Sequence, residues 1–298
     1  MSPAYTYLTM SDSLPVSLTA IEAHRDDVYH RRPQLRLHSV DDAARWIDAV
    51  GFAFVFSTRD FEMPTLWNAV DGSRRPGPSH LREHSVGLVW DWKDKLPVQR
   101  RVFYAKLLRA KPMLVSLHYA PYFYALTENF GDPEDYLAEY EAGTLTLEAK
   151  KVYEALLAHG QAASTGVLRR ASGLEGKGNV SRFDRAIAQL QRSMKIAKVG
   201  ISDANRWGYS YVYDLLPRAF PQIPEQARAL GRRESMAALL RQHLQNVGAV
   251  PTRQVSRLFE WDVPTAERLV GDLAEQGVAR GAVDGLADDC LAWLPAFR

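Results

Sequence analysis

Apolar positions in the second half of the chain fall into two runs of the same kind, each opening at helical spacing and closing on residues that alternate as strands. In the first run, roughly Leu147 to Phe220, Val152, Tyr153, Leu156 and Leu157 make one stripe, and Gly160 stands where a left-handed helix end belongs. Ser164 or Thr165 caps a short helix carrying Val167 and Leu168, which ends at Ser172 and Gly173. A third helix, from about Val180 to Met194, carries Phe183, Ile187, Leu190 and Met194 on one face. Arg182, Arg185, Gln189 and Arg192 fall on the other. Lys195 to Val199, then Tyr209, Tyr211 and Tyr213, alternate as strands around the turn-forming run Ser202, Asp203, Ala204, Asn205.

The second run, roughly Glu234 to Leu294, repeats the plan. Met236, Leu239, Leu240, Leu244 and Val247 form its first stripe; Val255, Leu258 and Phe259 follow an N-cap at Thr252. Its third helix opens with Asp262 and Pro264 and carries Leu269, Val270 and Leu273 to a stop at Gly277. A turn at Asp284 and Gly285 precedes a last strand from Cys290 to Leu294. Helix, short helix, longer helix and hairpin is the order of a winged helix-turn-helix, a module that reads nucleic acid.

The pattern before Leu147 is less regular. Residues 1–37 read as a polar N-terminal extension with a short helix near Thr19 to His30, ended by Arg31, Arg32 and Pro33. Ser39 and Asp42 resemble a capping pair, and Ala43, Trp46, Ile47 and Val50 make a helical stripe ending at Gly51. A strand is predicted from Phe52 to Ser57, with Phe52, Phe54 and Phe56 on one face, followed by a short helix from Pro64 to Val70. Beyond a Pro- and Gly-rich loop come Val86 to Trp92, an amphipathic helix at Gln99 to Arg109, a strand at Met113 to Leu117, and helices near Pro121 to Asn129 and Pro133 to Tyr140. This half reads as a third, elaborated winged helix. The expected fold is mainly α with small β-hairpins, an α+β arrangement of three tandem winged helices. Its expected divisions are 1–37, 38–143, 144–222 and 223–298.

Composition adjusts this frame in two places. With 298 residues, 46% of them hydrophobic, the chain can bury two or three cores without a disulfide or metal staple. Its one cysteine, Cys290, is expected to line a core, in keeping with a reducing cytoplasm. No apolar run approaches the ~20 residues of a membrane helix, so no membrane partner and a cytoplasmic, nucleoid-associated location are expected. The net charge of +2 is unevenly spread: residues 144–230 hold thirteen Lys and Arg against seven Asp and Glu, while the segments on either side are slightly negative. The positive field therefore sits on the middle module.

Residues for DNA contact follow from charge and face. Arg182, Arg185, Gln189 and Arg192 are placed to enter a groove, and Arg169, Arg170, Lys177, Lys198 and Arg206 to meet phosphates. In the second copy Glu267, Asp272 and Glu275 stand on the corresponding face beside Arg268, so residues 223–298 are read as support or a protein contact. Neither a metal nor a small-molecule cofactor is expected. His80, Glu83 and His84 match a His-x-x-Glu-His zinc motif in spacing, but they follow a Pro-Gly-Pro loop rather than lying within a long helix. The loop containing Gly173, Gly176, Lys177 and Gly178 has neither Walker spacing nor a preceding strand.

The helix ending at Gly51, the apolar strand after it, the Leu66 and Trp67 pair, and two winged helices whose Tyr-rich wing closes on Leu216, Pro217 and Arg218 resemble the AlkZ/YcaQ-like DNA glycosylases. The resemblance covers the chain from about Ser39 onward. It implies three tandem winged helices and action on alkylated or crosslinked bases in DNA. In that family a Gln-x-Gln or Gln-x-Asp motif on the strand after the first helix positions the attacking water. Alignment from Gly51 puts Phe54 and Phe56 at those places, and neither can accept a proton or orient water. Asp60, Glu62, Asp91 and Asp94 are the acids near enough in sequence to substitute. The chain is accordingly expected to be a repair-associated DNA-binding protein without base excision by the family mechanism. A winged-helix transcriptional regulator and a glycosylase using substituted acids are the alternatives.

Overall fold

The computed structural model describes residues 13–127, 129–202 and 210–298. Helix α1 (Leu18–Val28), capped by the Ser17 hydroxyl, precedes three successive units of one element order: helix, short strand, two helices, two strands. The first unit is α2 (Val40–Val50), β1 (Phe52–Phe54), α3 (Leu66–Asp71), α4 (His84–Val98), β2 (Val102–Ala105) and β3 (Met113–Ser116). Helices α5 (Ala120–Tyr124) and α6 (Asp135–Glu141) lead into the second: α7 (Leu147–His159), β4 (Ala163–Ser164), α8 (Thr165–Ala171), α9 (Val180–Arg192), β5 (Ile196–Ser202) and β6 (Ser210–Leu215). After α10 (Leu216–Ala219) and α11 (Gln222–Ala227) comes the third: α12 (Arg232–Val247), β7 (Ala249–Pro251), α13 (Thr252–Phe259), α14 (Val263–Leu273), β8 (Val278–Val283) and β9 (Ala287–Trp293). Each unit closes one small antiparallel sheet with its last strand in the middle: β1-β3-β2, β4-β6-β5 and β7-β9-β8. The fold is thus mixed α and β.

Local signals set the helix ends. The hydroxyls of Ser39 and Thr146 cap α2 and α7 by accepting from backbone N–H groups three residues on, and Asp262 does the same for α14 ahead of Pro264. The expected helix at Gln99 to Arg109 is instead the strand β2. The first sheet is covered on both sides, so its strands are buried at every position and carry no period-2 signal. Phe52, Phe54, Phe103, Met113 and Val115 enter a core shared with Phe123, Leu239, Leu240 and Phe259. Ala53, Val55, Val102, Tyr104 and Leu114 enter a second core with Trp46, Ile47, Trp67, Trp92 and Leu96. The predicted alternation of Phe52, Phe54 and Phe56 holds only for the first two. The chain bends after β1, and Phe56 stacks on Trp67 of the second core, with ring centroids 6.3 Å apart.

The described residues before α2, from 13 onward, are tied down rather than merely polar. Buried Arg25 donates to the carbonyls of Val247 (3.0 Å) and Ala249 (2.7 Å), fixing α1 to the end of α12, while Leu14, Val16 and Ile21 cover Ala249, Cys290 and Ala292. Burial raises the Cys290 thiol to about 11, as befits a core thiol. The first and third units are joined by amide side chains of α12. Asn246 donates to Val50 O (2.7 Å), Gln242 donates to Ala49 O (3.3 Å) and accepts from the Tyr119 hydroxyl (2.6 Å), so the orphan carbonyls ending α2 are satisfied. Gly51 sits in this joint at φ +74°, where a Cβ would lie 2.8 Å from the Tyr119 ring.

Candidate nucleic-acid interface

The outward face of α9 is built by its inward one. Phe183, Ile187 and Leu190 are buried in the second unit's core, which turns Arg182, Arg185 and Arg192 to solvent. Arg182 reaches Glu148 on α7 at 2.5 Å, whereas Arg185 makes no ion pair among the described residues. On the neighbouring helix Arg169 pairs with Asp184 at 3.0 Å and lies over the Phe183 ring; Arg170 is exposed and meets Glu175 at 3.3 Å. Lys177 is exposed in the turn that opens α9. Pairs this exposed contribute only ~0–1 kcal/mol each, so little is lost when any of the three is broken. Arg206 and Tyr209 lie outside the described residues.

Two expected contacts are placed differently. The Gln189 amide accepts from the Thr146 hydroxyl (2.6 Å) and donates to Thr144 O (2.7 Å), so it serves the loop that starts α7 rather than a base edge. Lys198 does not face solvent at all; its side chain has no exposed surface. Its ammonium meets the Asp94 carboxylate of α4 and lies 4.0 Å from the Tyr211 ring centroid and 4.5 Å from that of Tyr104. Lys93, also buried, donates to the same Asp94 oxygen (2.7 Å) and to the Tyr211 hydroxyl (3.0 Å). Burial pulls both lysines below their ordinary range, Lys198 to about 8, with Asp94 partly restoring the charged form. This cluster locks α4 to β5, and the sequence pattern of a wing strand gives no sign of it.

The candidate acids do not converge. Asp94 is occupied by its two lysines, Asp91 is exposed and pairs with Lys95 at 2.7 Å, and Glu62 receives Arg31 at 3.2 Å with Arg25 3.5 Å away. Asp60 is exposed. Glu83 of the His-x-x-Glu-His run accepts from Arg75 (2.7 Å) and from the His80 backbone (3.1 Å), which holds its carboxyl below the usual range. Its role is to fix the entry to α4.

A feature that sequence reasoning missed lies where the three units meet. Glu260, just past α13, receives Arg109 from the β2–β3 turn at 2.6 Å and also Arg192 from the end of α9. Beside it opens a cleft of about 350 Å³ lined in part by Met194, Arg232, Phe259 and Trp261. It shares Leu126, Thr127 and Arg192 with a second cleft of about 580 Å³.

Against known proteins, the model of the AlkZ-related family matches residues 37–260. The chain belongs to that family. Among solved structures it is similar to the DNA glycosylase AlkZ of Streptomyces sahachiroi, at a TM-score of 0.53 and 14% identity over 95% of this chain and 71% of the other. None of the curated proteins searched matches it. Phe54 and Phe56, which the resemblance to the AlkZ/YcaQ-like glycosylases sets at the places of those enzymes' polar motif, stand at and just past the end of β1 in this AlkZ-related chain. Phe54 has no exposed surface and sits inside the core shared by the first and third units. Phe56 is half-buried between Trp67 and Trp90. Among the described residues no helix is long and apolar enough to cross a membrane, and no three His, Cys, Asp or Glu side chains gather where they would hold a metal.

Proposed function

We propose that this protein is a repair-associated DNA-binding protein of the AlkZ-related family that does not excise bases by the family mechanism. The observation that carries the reading is the outward face of α9, where Arg182 and Arg185 stand exposed with Arg192 at its end and Arg170 and Lys177 nearby. In this reading each of the three repeated units is a winged helix, with boundaries near 38–143, 144–222 and 223–298, and the second holds DNA. Its third helix offers guanidinium groups to a groove and its second helix offers cations to the phosphates. The corresponding helix of the first unit is unavailable along much of its length, because Trp92, Lys93, Asp94 and Leu96 are buried.

Chemistry at the motif positions supports the absence of excision. A phenyl ring offers no general base, and Phe54 is sealed from water. Glu62, Asp91 and Asp94 are each engaged by a cation and Asp60 is exposed, which gives the substituted-acid reading little support. The test is to incubate the protein with plain, nicked, branched and alkylated duplexes, measuring affinity and abasic sites together. Binding without abasic sites supports the proposal; abasic sites that disappear on replacing Asp60 or Glu62 would refute it.

A further inference from the structure

We infer that the junction of the three units is a clamp for one nucleotide of a DNA strand, with Arg109 and Arg192 as its phosphate ligands and Glu260 holding their place when DNA is absent. The inference rests on the DNA-binding reading above and adds a second contact site, to which the first and third units contribute.

The charge balance at the junction is the first argument. Two guanidinium groups from different units share one carboxylate, so the pair carries an excess positive charge even when occupied. Exposed Arg257 adds to it: Arg109 and Arg257 both lie over the Phe61 ring, 5.7 and 5.4 Å from its centroid. Arg232 lines the same cleft as Glu260 and is held by Leu126 O at 3.1 Å. Two arginines thus meet one glutamate with two more near the junction, and three of the four come from segments whose net charge is negative. A phosphodiester, like a carboxylate, presents two acceptor oxygens that share a negative charge and suits the same forked donors.

Backbone strain provides the second. Six non-glycine residues among those described have positive φ, and four surround this cleft: Ala110, Met194 and Glu260 line its two lobes, and Arg109 reaches it through Glu260. Arg109 and Ala110, at φ +52° and +54°, are the two central residues of the β2–β3 turn, which Lys111 N closes on Leu108 O at 3.0 Å. Such turns ordinarily take Asn and Gly, and a left-handed conformation costs most other residues about 1–2 kcal/mol. Strain retained at one place marks a site where geometry is held for use.

The wall of the cleft accounts for the rest of the nucleotide. Trp261 stacks on Phe259 at 4.4 Å with 17° between the rings, and both line the cleft beside Glu260. This is an aromatic support on which a base next to the clamped phosphate can rest.

The experiment uses the full chain and a fluorescein-labelled duplex carrying one unpaired nucleotide, with anisotropy read across a salt series. Glu260→Gln is expected to bind roughly three- to tenfold more tightly, because the competing carboxylate is gone. Arg109→Ala is expected to bind more weakly by a similar factor, with the slope of log K against log salt shallower by about one. If both variants stay within twofold of the native protein while Arg182→Ala with Arg185→Ala loses binding, the clamp is wrong and the α9 reading stands. Weaker binding by a folded Glu260→Gln also overturns the clamp. A native protein that binds no duplex at low salt removes both readings, and should Glu260→Gln fail to fold, Arg109→Ala decides alone.

Discussion

The Lys198 ammonium of β5 rests on the Asp94 carboxylate of α4, and Lys93 shares the same carboxylate oxygen. Removing one partner of such a cluster differs from replacing it. Asp94→Asn leaves two buried ammonium groups without a counter-charge and is expected to cost about 3–5 kcal/mol in urea unfolding. Lys198→Met leaves a matched Lys93–Asp94 pair and a side chain suited to the Tyr104 and Tyr211 rings, so its expected cost is near zero. Equal losses in the two variants would contradict this account.

The same cluster sets a pH dependence. Lys198 titrates near 8 in the folded chain and at its ordinary 10.5 when unfolded, so between those values the unfolded state binds more protons. Stability contributed by this group therefore rises from about pH 8 toward 10.5, by up to about 3 kcal/mol. Lys93 acts in the same direction. Buried tyrosines such as Tyr213, whose hydroxyls burial pushes upward, oppose the gain above about pH 10, since they stay protonated while the unfolded chain ionises. Unfolding measured at pH 7, 8 and 9 should show stability rising in the native protein and a flatter profile in Lys198→Met.

On the acid side the sensitive group is His243. It lies on the buried face of α12 beside Phe259, and burial lowers it to about 3, with Arg25 adding repulsion. The unfolded chain takes up that proton near 6.5 and the folded chain does not, so stability is lost as pH falls from about 6.5 toward 3. His243→Leu should retain stability at pH 5 better than the native chain does. A parallel loss in both would assign acid unfolding to other groups.

Phe54 tests whether the motif position is structural. Phe54→Ala is expected to cost about 3–5 kcal/mol, as for a large side chain removed from a packed core. Half-buried Phe56→Ala should cost clearly less. If Phe54→Ala were nearly neutral, the core reading of this strand would fail.

What the sequence disclosed and what it withheld divide along local and long-range lines. The helix caps at Ser39, Thr146 and Asp262 and the stripe along α9 depend on residues within a few turns, and they were legible. Strand β2 was not, because a sheet covered on both faces has no alternation to read. Lys198 and Gln189 looked exposed on their own elements; α4 buries one, and the start of α7 engages the other. Counting charge by segment concealed the arginines around Glu260, since they come from three units and meet only in the fold.

The central claim is that the exposed face of α9 holds DNA. Its most direct test is equilibrium binding of a labelled duplex by the native protein and by Arg182→Ala with Arg185→Ala, each across a salt series. The account predicts native binding that falls steeply with salt and a double variant that loses most of its affinity while unfolding at the native urea midpoint. Salt-insensitive binding, or a double variant that binds as the native protein does, would contradict it.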